Sequence, residues 1–288
     1  LRRIFISSPR EELDITKERA DTVAISASFA RFSSVECTPV SANGVPAEWI
    51  VPAGSTIERC ILYVHGGTFF AGSIASHRPL AANIAVAARA RALIIDYRLS
   101  PECPYPAGLE DVITAYHWLR EQLAPGKISL ASDSAGGALT LGLLLALRDW
   151  GESQPTCAVC LSPATDLTLK GETWQTNRKH DIMLEYWKMV KGLEIYLRDT
   201  DPRTPLASPF HAELEGLPPL LIQVGSAEML LSDSTRFAEK ARAAGVEVTL
   251  EIWERMQHEW QFAIGFLPEA HRAVQGIGKF INTHWSTD

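Results

Sequence analysis

Three side chains in this sequence have the types needed for nucleophilic acyl transfer: Ser134, Glu228 and His258. A serine hydroxyl attacks a carbonyl poorly unless a base takes its proton. The base in turn needs a carboxylate to hold its tautomer and steady the imidazolium. Around the serine, Lys127 to Gly137 read K-I-S-L-A-S-D-S-A-G-G, and a long Leu- and Ala-rich segment follows to Trp150. A short apolar run, a cluster of small residues and a long apolar segment spell strand, sharp turn and buried helix. A serine at such a bend projects its hydroxyl from the C-terminal edge of a sheet, beside the positive end of the helix dipole. The usual spacing is G-x-S-x-G; here Ser132 stands in the first glycine position and Gly136 in the last.

A second loop belongs with the first. Tyr63 to Phe69 read Y-V-H-G-G-T-F after the apolar run Cys60–Val64. Backbone N–H groups of Gly67 and Thr68, joined by that of Ala135, can form an oxyanion hole if they face Ser134 Oγ. Such donors must lie about 2.7–3.1 Å from the developing charge. His65, before the glycines, braces the loop. Met256-Gln257-His258-Glu259-Trp260 follows the apolar run Val246–Ile252, and Gly225-Ser226-Ala227-Glu228 follows Leu220–Val224. Both therefore sit at the edge that carries Ser134, in the order Ser, acid, His. Asp166 is the reserve for the acid, and Asp233 falls inside the next helix. Asp133 adjoins the serine, with its side chain expected to point elsewhere. His77, His117, His180, His211, His271 and His284 fall in helical or inserted segments, where a solvent-facing role is the default. No metal-spaced Cys/His set and no phosphate-cradling glycine loop is present, so no metal and no cofactor is expected.

The elements that must position these residues are legible in the rhythm of the chain. Pro9 to about Phe32 has a helical pattern with Ser8 as N-cap. Ser34–Val40 and Val45–Val51 flank Asn43-Gly44, a hairpin signal. Six further strands follow: Cys60–Val64, Ala92–Ile95, Ile128–Ala131, Cys157–Leu161, Leu220–Val224 and Val246–Ile252. Helices at Arg78–Ala90, Leu109–Gln122, Gly136–Trp150, Ser232–Ala244 and about 269–283 separate or follow them. Apolar runs alternating with helices predict a mostly parallel sheet covered on both faces, entered through an antiparallel hairpin. Nearly sixty residues between Leu161 and Leu220 lack a strand, which reads as an inserted helical lid containing the helix-like 174–197.

Composition bounds the function. The chain has 288 residues, 46% of them hydrophobic and 21% charged. That is ample for one large α/β domain. A net charge of −7 without a basic cluster argues against nucleic acid. No apolar run is long enough for stable membrane insertion. The basic-then-apolar start at Leu1–Ile6 is too short for a signal-peptide core. Five cysteines without framework spacing favour a reducing, cytoplasmic compartment. Cys157 and Cys160 lie three apart in a strand, so they face opposite sides as inert core residues.

His65-Gly66-Gly67-Thr68-Phe69, Asp96 to Glu102 (D-Y-R-L-S-P-E), Pro104 to Ala107 (P-Y-P-A) and Asp133 to Gly137 (D-S-A-G-G) resemble the hormone-sensitive-lipase family of α/β-hydrolases, the bacterial family IV carboxylesterases. The similarity runs from about residue 34 to the C-terminus through Ala207-Ser208-Pro209, Leu217-Pro218-Pro219 and the Glu228 and His258 regions. The resemblance implies an α/β-hydrolase fold of about eight strands in a single domain spanning 1–288, with a cap from about 1–33 and about 166–207. It implies Ser134 as nucleophile, His258 as base, Glu228 as acid and Gly67, Thr68 and Ala135 as oxyanion donors. It further implies a small-molecule ester substrate with a short to medium acyl chain, and a homodimer paired through the last strand. Phe69, Phe70, Asp133 and Trp187 are the substrate-binding candidates, and Trp174 and Tyr186 are lid aromatics that could line the same pocket. Two departures stand out: Thr68 replaces the third glycine of H-G-G-G, and Ser132 replaces the first glycine of the elbow. An amidase or acyltransferase on the same triad stays open, as does a non-catalytic small-ligand receptor on the same scaffold.

Overall fold

The computed structural model describes residues 13–29 and 35–285. Eight strands form one sheet in the order β1-β2-β4-β3-β5-β6-β7-β8. They are β1 Val35–Ala42, β2 Val45–Pro52, β3 Thr56–Val64, β4 Ala90–Ile95, β5 Ile128–Asp133, β6 Ala158–Leu161, β7 Leu220–Gly225 and β8 Val248–Trp253. β1, β2 and β4 pair antiparallel, and every pairing from β4 through β3 to β8 is parallel. The hairpin turns at Asn43 and Gly44, both with positive φ. The central strands β5, β6 and β7 are buried at every residue, whereas β1 and β8 at the two ends are only partly covered. This is why the middle of the sheet reads as continuous apolar runs.

Successive strand residues face opposite sides, so the sheet divides the core in two. Leu62, Leu130, Cys160 and Ile222 pack on one face with Val112 of α3 (Ala107–Arg120), Leu143 of α4 (Ser134–Asp149) and Phe237 of α7 (Leu231–Ala243). Ile61, Ala131, Val159 and Leu221 pack on the other with Leu80 and Ile84 of α2 (Ile74–Ala88) and Val274 and Ile277 of α8 (Pro268–His284). Cys157 and Cys160 fall on opposite faces, fully buried, with thiol pKa values pushed up by burial to about 11 and about 12.

Several element ends differ from the sequence expectation, each for a local reason. The first described helix, α1 (Ile15–Phe29), is capped by Asp14, which accepts from Lys17 N at 3.0 Å. Ser8 and Pro9 lie outside the described residues. α2 begins at Ile74 rather than Arg78, since Ser73 and Ser76 form a reciprocal capping box and Pro79 is accommodated inside the helix. β8 starts at Val248 because Gly245, at φ +82°, turns the chain and Val246 N returns to Ala241 O. The expected helix over 174–197 is two: α5 (Thr173–Thr176) and α6 (Tyr186–Leu197). Asp181 separates them, its Oδ1 accepting from Met183 N and Leu184 N and its Oδ2 from Met229 N.

Candidate active site

Ser134 is the first residue of α4, directly after β5, at φ +48°. A non-glycine residue in the left-handed region marks the tight strand-to-helix elbow that carries an exposed nucleophile. The turn closes only with small neighbours. A Cβ on Gly136 would collide with Val64 O, and one on Gly137 would come within 2.6 Å of Pro163 Cβ. Ser132 fits the first elbow position by turning inward, its hydroxyl donating to Val159 O at 3.3 Å.

His258 stands in the loop after β8 and Glu228 in the turn after β7, so two adjacent parallel strands deliver base and acid to the edge that holds Ser134. His258 Nδ1 donates to Glu228 Oε2 at 2.7 Å, which leaves Nε2 to accept from Ser134 Oγ at 3.0 Å. Glu228 is fully buried, and its other oxygen accepts from Ser162 Oγ at 2.7 Å and Gly225 N at 2.6 Å. A carboxylate held by three donors cannot swing away from the imidazole. Burial alone would lower the His258 pKa; the Glu259 charge and the Glu228 hydrogen bond outweigh it and lift the pKa well above the usual histidine value.

The loop after β3 lies against the nucleophile, for a Cβ on Gly66 would sit 3.0 Å from Ser134 Cβ. Gly67, Thr68 and Phe69 have φ of +113°, +52° and +63°, so the chain reverses sharply there. His65 braces this loop as expected. It is buried, stacked on Tyr97 at 4.3 Å between ring centres, and donates from Nδ1 to Gly66 O at 2.7 Å. Burial pulls its pKa down to about 3, so it stays neutral. The Thr68 side chain turns toward α6, where its Oγ1 lies 3.6 Å from Met189 Sδ.

The other candidates are dispersed. Phe69 is buried and stacked on Tyr196, ring centres 3.7 Å apart, and buried Phe70 packs beside Gly192 of α6. Trp187 is half-buried, with Nε1 donating to Glu185. Trp174 is a core residue, its indole donating to Asp233 at 2.9 Å. Asp166 is bound instead to His211 at 3.0 Å and Arg236 at 2.9 Å, a separate ionic cluster. Asp133 is fully buried and accepts from Tyr63 OH at 2.6 Å, Gly66 N at 2.8 Å and His77 Nε2 at 3.2 Å. His77 is thus buried inside the site rather than solvent-facing. Sequence reasoning missed it, along with Ser162, Tyr63 and Glu259. Their positions on or after strands, or on the face of α2 that packs on the sheet, were the only signal.

This geometry is that of a serine hydrolase built on the α/β-hydrolase fold. Residues 61–262 match the protein family described by that fold. The chain is 44% identical over 245 residues to an acetyl-hydrolase of Streptomyces hygroscopicus, covering 85% of this chain and 82% of that one. Among solved structures, an esterase from the bacterial hormone-sensitive lipase family superposes with a TM-score of 0.94 at 39% identity, over 99% of this chain and 95% of the other. EstE5, whose crystal was soaked with p-nitrophenyl butyrate, superposes with a TM-score of 0.93 at 37% identity, over 99% and 97%. The chain belongs to the bacterial hormone-sensitive-lipase family of α/β-hydrolase esterases. It is a carboxylic ester hydrolase with a Ser–His–Glu triad. Among the described residues no helix is long and apolar enough to cross a membrane.

Proposed function

We propose that the protein hydrolyses small esters of short to medium acyl chains by way of an acyl-enzyme on Ser134. The hydrogen-bonded run from Ser134 through His258 to Glu228 carries this reading. Ser134 Oγ attacks the ester carbonyl as its proton passes to His258 Nε2, and Glu228 steadies the imidazolium. The backbone N–H groups of Gly67, Thr68 and Ala135 take the developing oxyanion. His258 then protonates the leaving alcohol, and water releases the acid by the same steps reversed. α1 and the segment 166–207 serve as the cap over the site; the ion pair of Glu18 with Lys188 at 2.8 Å, joining α1 to α6, supports this. Phe69, Phe70 and Trp187 shape the acyl side, while Asp133 acts from behind the nucleophile. The short-chain preference is supported by the acetyl-hydrolase relative and by the butyrate ester used on EstE5.

A fluorophosphonate probe with peptide mapping tests the assignment: Ser134 takes the label, and label on another residue overturns it. A p-nitrophenyl ester series should peak between acetate and hexanoate and exceed matched anilides. Two finer points belong to the same reading. β8 ends the sheet, with Ile252 half-exposed, and pairs across a two-fold axis in a homodimer; a monomer by light scattering counts against it. The five cysteines are free thiols, which supports a reducing, cytoplasmic setting.

A further inference from the structure

Glu259, the residue after the base, has a position that the triad does not account for. Its backbone is left-handed, φ +54°, and its side chain is only 16% exposed. Oε1 lies 3.4 Å from His258 Nε2, the same nitrogen that meets Ser134 Oγ at 3.0 Å. The imidazole therefore sits between two carboxyl groups, Glu228 on Nδ1 and Glu259 on Nε2. Glu259 also lies beside Asp133, the two carboxyls facing the same space over Gly66. Gly66 makes room for both: a Cβ there would collide with Asp133 Oδ2 and sit 3.0 Å from Glu259 Oε1.

We propose that Glu259 is a second carboxyl partner of the base, a positioning residue that acts through His258 and sets the pH at which Nε2 is free to accept the proton of Ser134. This rests on the reading of Ser134 and His258 as nucleophile and base. Two carboxyls in contact share one proton rather than both ionising. Asp133 has three donors of its own, from Tyr63, Gly66 and His77, and these hold it ionised. Burial pushes the Glu259 carboxyl above its usual range; the positive charge of His258 draws it back, and the neighbouring Asp133 charge adds to the rise. Glu259 and His258 thus ionise together, as an ion pair or as a neutral pair. The groups that face Glu259 are Asp133 at the elbow, His77 on α2, Tyr63 on β3, Tyr97 after β4 and His258 itself. Beyond the imidazole lie Glu228 and Asp181.

The sign follows from the pair. A carboxylate beside Nε2 stabilises the imidazolium, so the base keeps its proton to higher pH and the acid limb of kcat/KM lies higher than Glu228 alone would place it. Glu259→Gln keeps the size and a donor for Asp133 but removes the charge. Its acid limb should move down by about one pH unit or more, since an adjacent opposite charge shifts a pKa by about 1–3 units. The plateau should stay within a few-fold of wild type. Glu259→Asp, whose carboxyl is drawn back by one methylene, should move the limb the same way by less. A role in packing alone would lower the plateau or Tm and leave the limb in place. An acid limb unmoved in whichever of the two variants folds overturns the proposal. Ser134→Ala, run in parallel, separates this from failure of the serine mechanism, because turnover retained there sinks that mechanism whatever Glu259 does.

Discussion

The rim of the sheet and the helices beside it are held in place by different means. At the rim, Ser134, Glu228 and His258 follow β5, β7 and β8, and their chains are fixed by strand pairing within a buried sheet. Glu228 takes a backbone N–H from Gly225 and a hydroxyl from Ser162. α1 and α6, by contrast, are held largely by side chains: Arg19 to Glu102 and to the carbonyls of Phe70 and Ser100, Thr68 to Met189, and Lys188 to Glu18 between the two helices, with a backbone bond from Tyr105 N to Tyr196 O besides. Bond-making chemistry tolerates errors of about 0.5 Å and needs the stiffer mounting. Side-chain mounting is softer, and it suits the region proposed as the cap.

The largest effect should come from breaking the rim at its centre. Ser134→Ala removes the nucleophile, and kcat/KM for a short p-nitrophenyl ester should fall by about 10⁴ or more. An intact Tm alongside would show that the loss is chemical. Glu228→Gln comes next. It keeps the shape but can no longer hold the imidazole by charge, and it weakens the acceptor that Ser162 and Gly225 share. Loss of the orienting carboxylate costs about 10⁴ in a related triad. A fall of about 10³ is expected here, because Glu259 leaves a second carboxyl beside the ring. A fall under tenfold would mean that the acid is misassigned.

The same division explains what could be read in advance. Strands β5 to β7, and β3 from Cys60, announce themselves because they are buried on both faces and become runs dominated by apolar residues. Ser134 and Glu228 are legible because each follows such a run, and His258 because it follows the last, half-covered strand. The 174–197 segment is not, because α5 stops at Thr176 and an aspartate side chain, Asp181, holds the stretch before α6 through Met183, Leu184 and distant Met229. His77 illustrates the other failure. On a helix it resembles any surface histidine, and only the packing of α2 on the sheet brings its Nε2 to Asp133, 56 positions away. Glu259 was hidden for a different reason: a left-handed backbone reverses the direction in which its side chain would be expected to point.

The seam between the two regions is Gly192. A Cβ there would lie 2.6 Å from Thr68 Cγ2 and 2.8 Å from Phe70 Cε1, so α6 can rest on the loop after β3 only without a side chain at that point. Thr68 is β-branched and already left-handed, so it has little room to yield. Gly192→Ala should therefore displace the proposed oxyanion amides rather than the helix. Misplacing such a donor is costly, and a drop of about tenfold in kcat with Tm changed by only a few degrees is expected. Equal activity would show that α6 gives way and the loop does not.

The smallest effect should come from the softest joint. Lys188 Nζ meets Glu18 Oε1 at 2.8 Å and Glu185 Oε1 at 3.0 Å, and all three side chains are about a quarter exposed. Pairs that solvent can reach contribute about 0–1 kcal/mol and are screened by salt. Lys188→Met keeps the apolar stem and removes the charge, so global Tm should fall by no more than about 2–4 °C, with no change in the pH profile. What should change is KM for bulky esters, because α1 is freed from α6 while the rim is untouched. Raising the salt concentration on the wild type should reproduce the same rise in KM, and a kcat that falls instead would mean that α1, α6 and the rim move as one rigid unit.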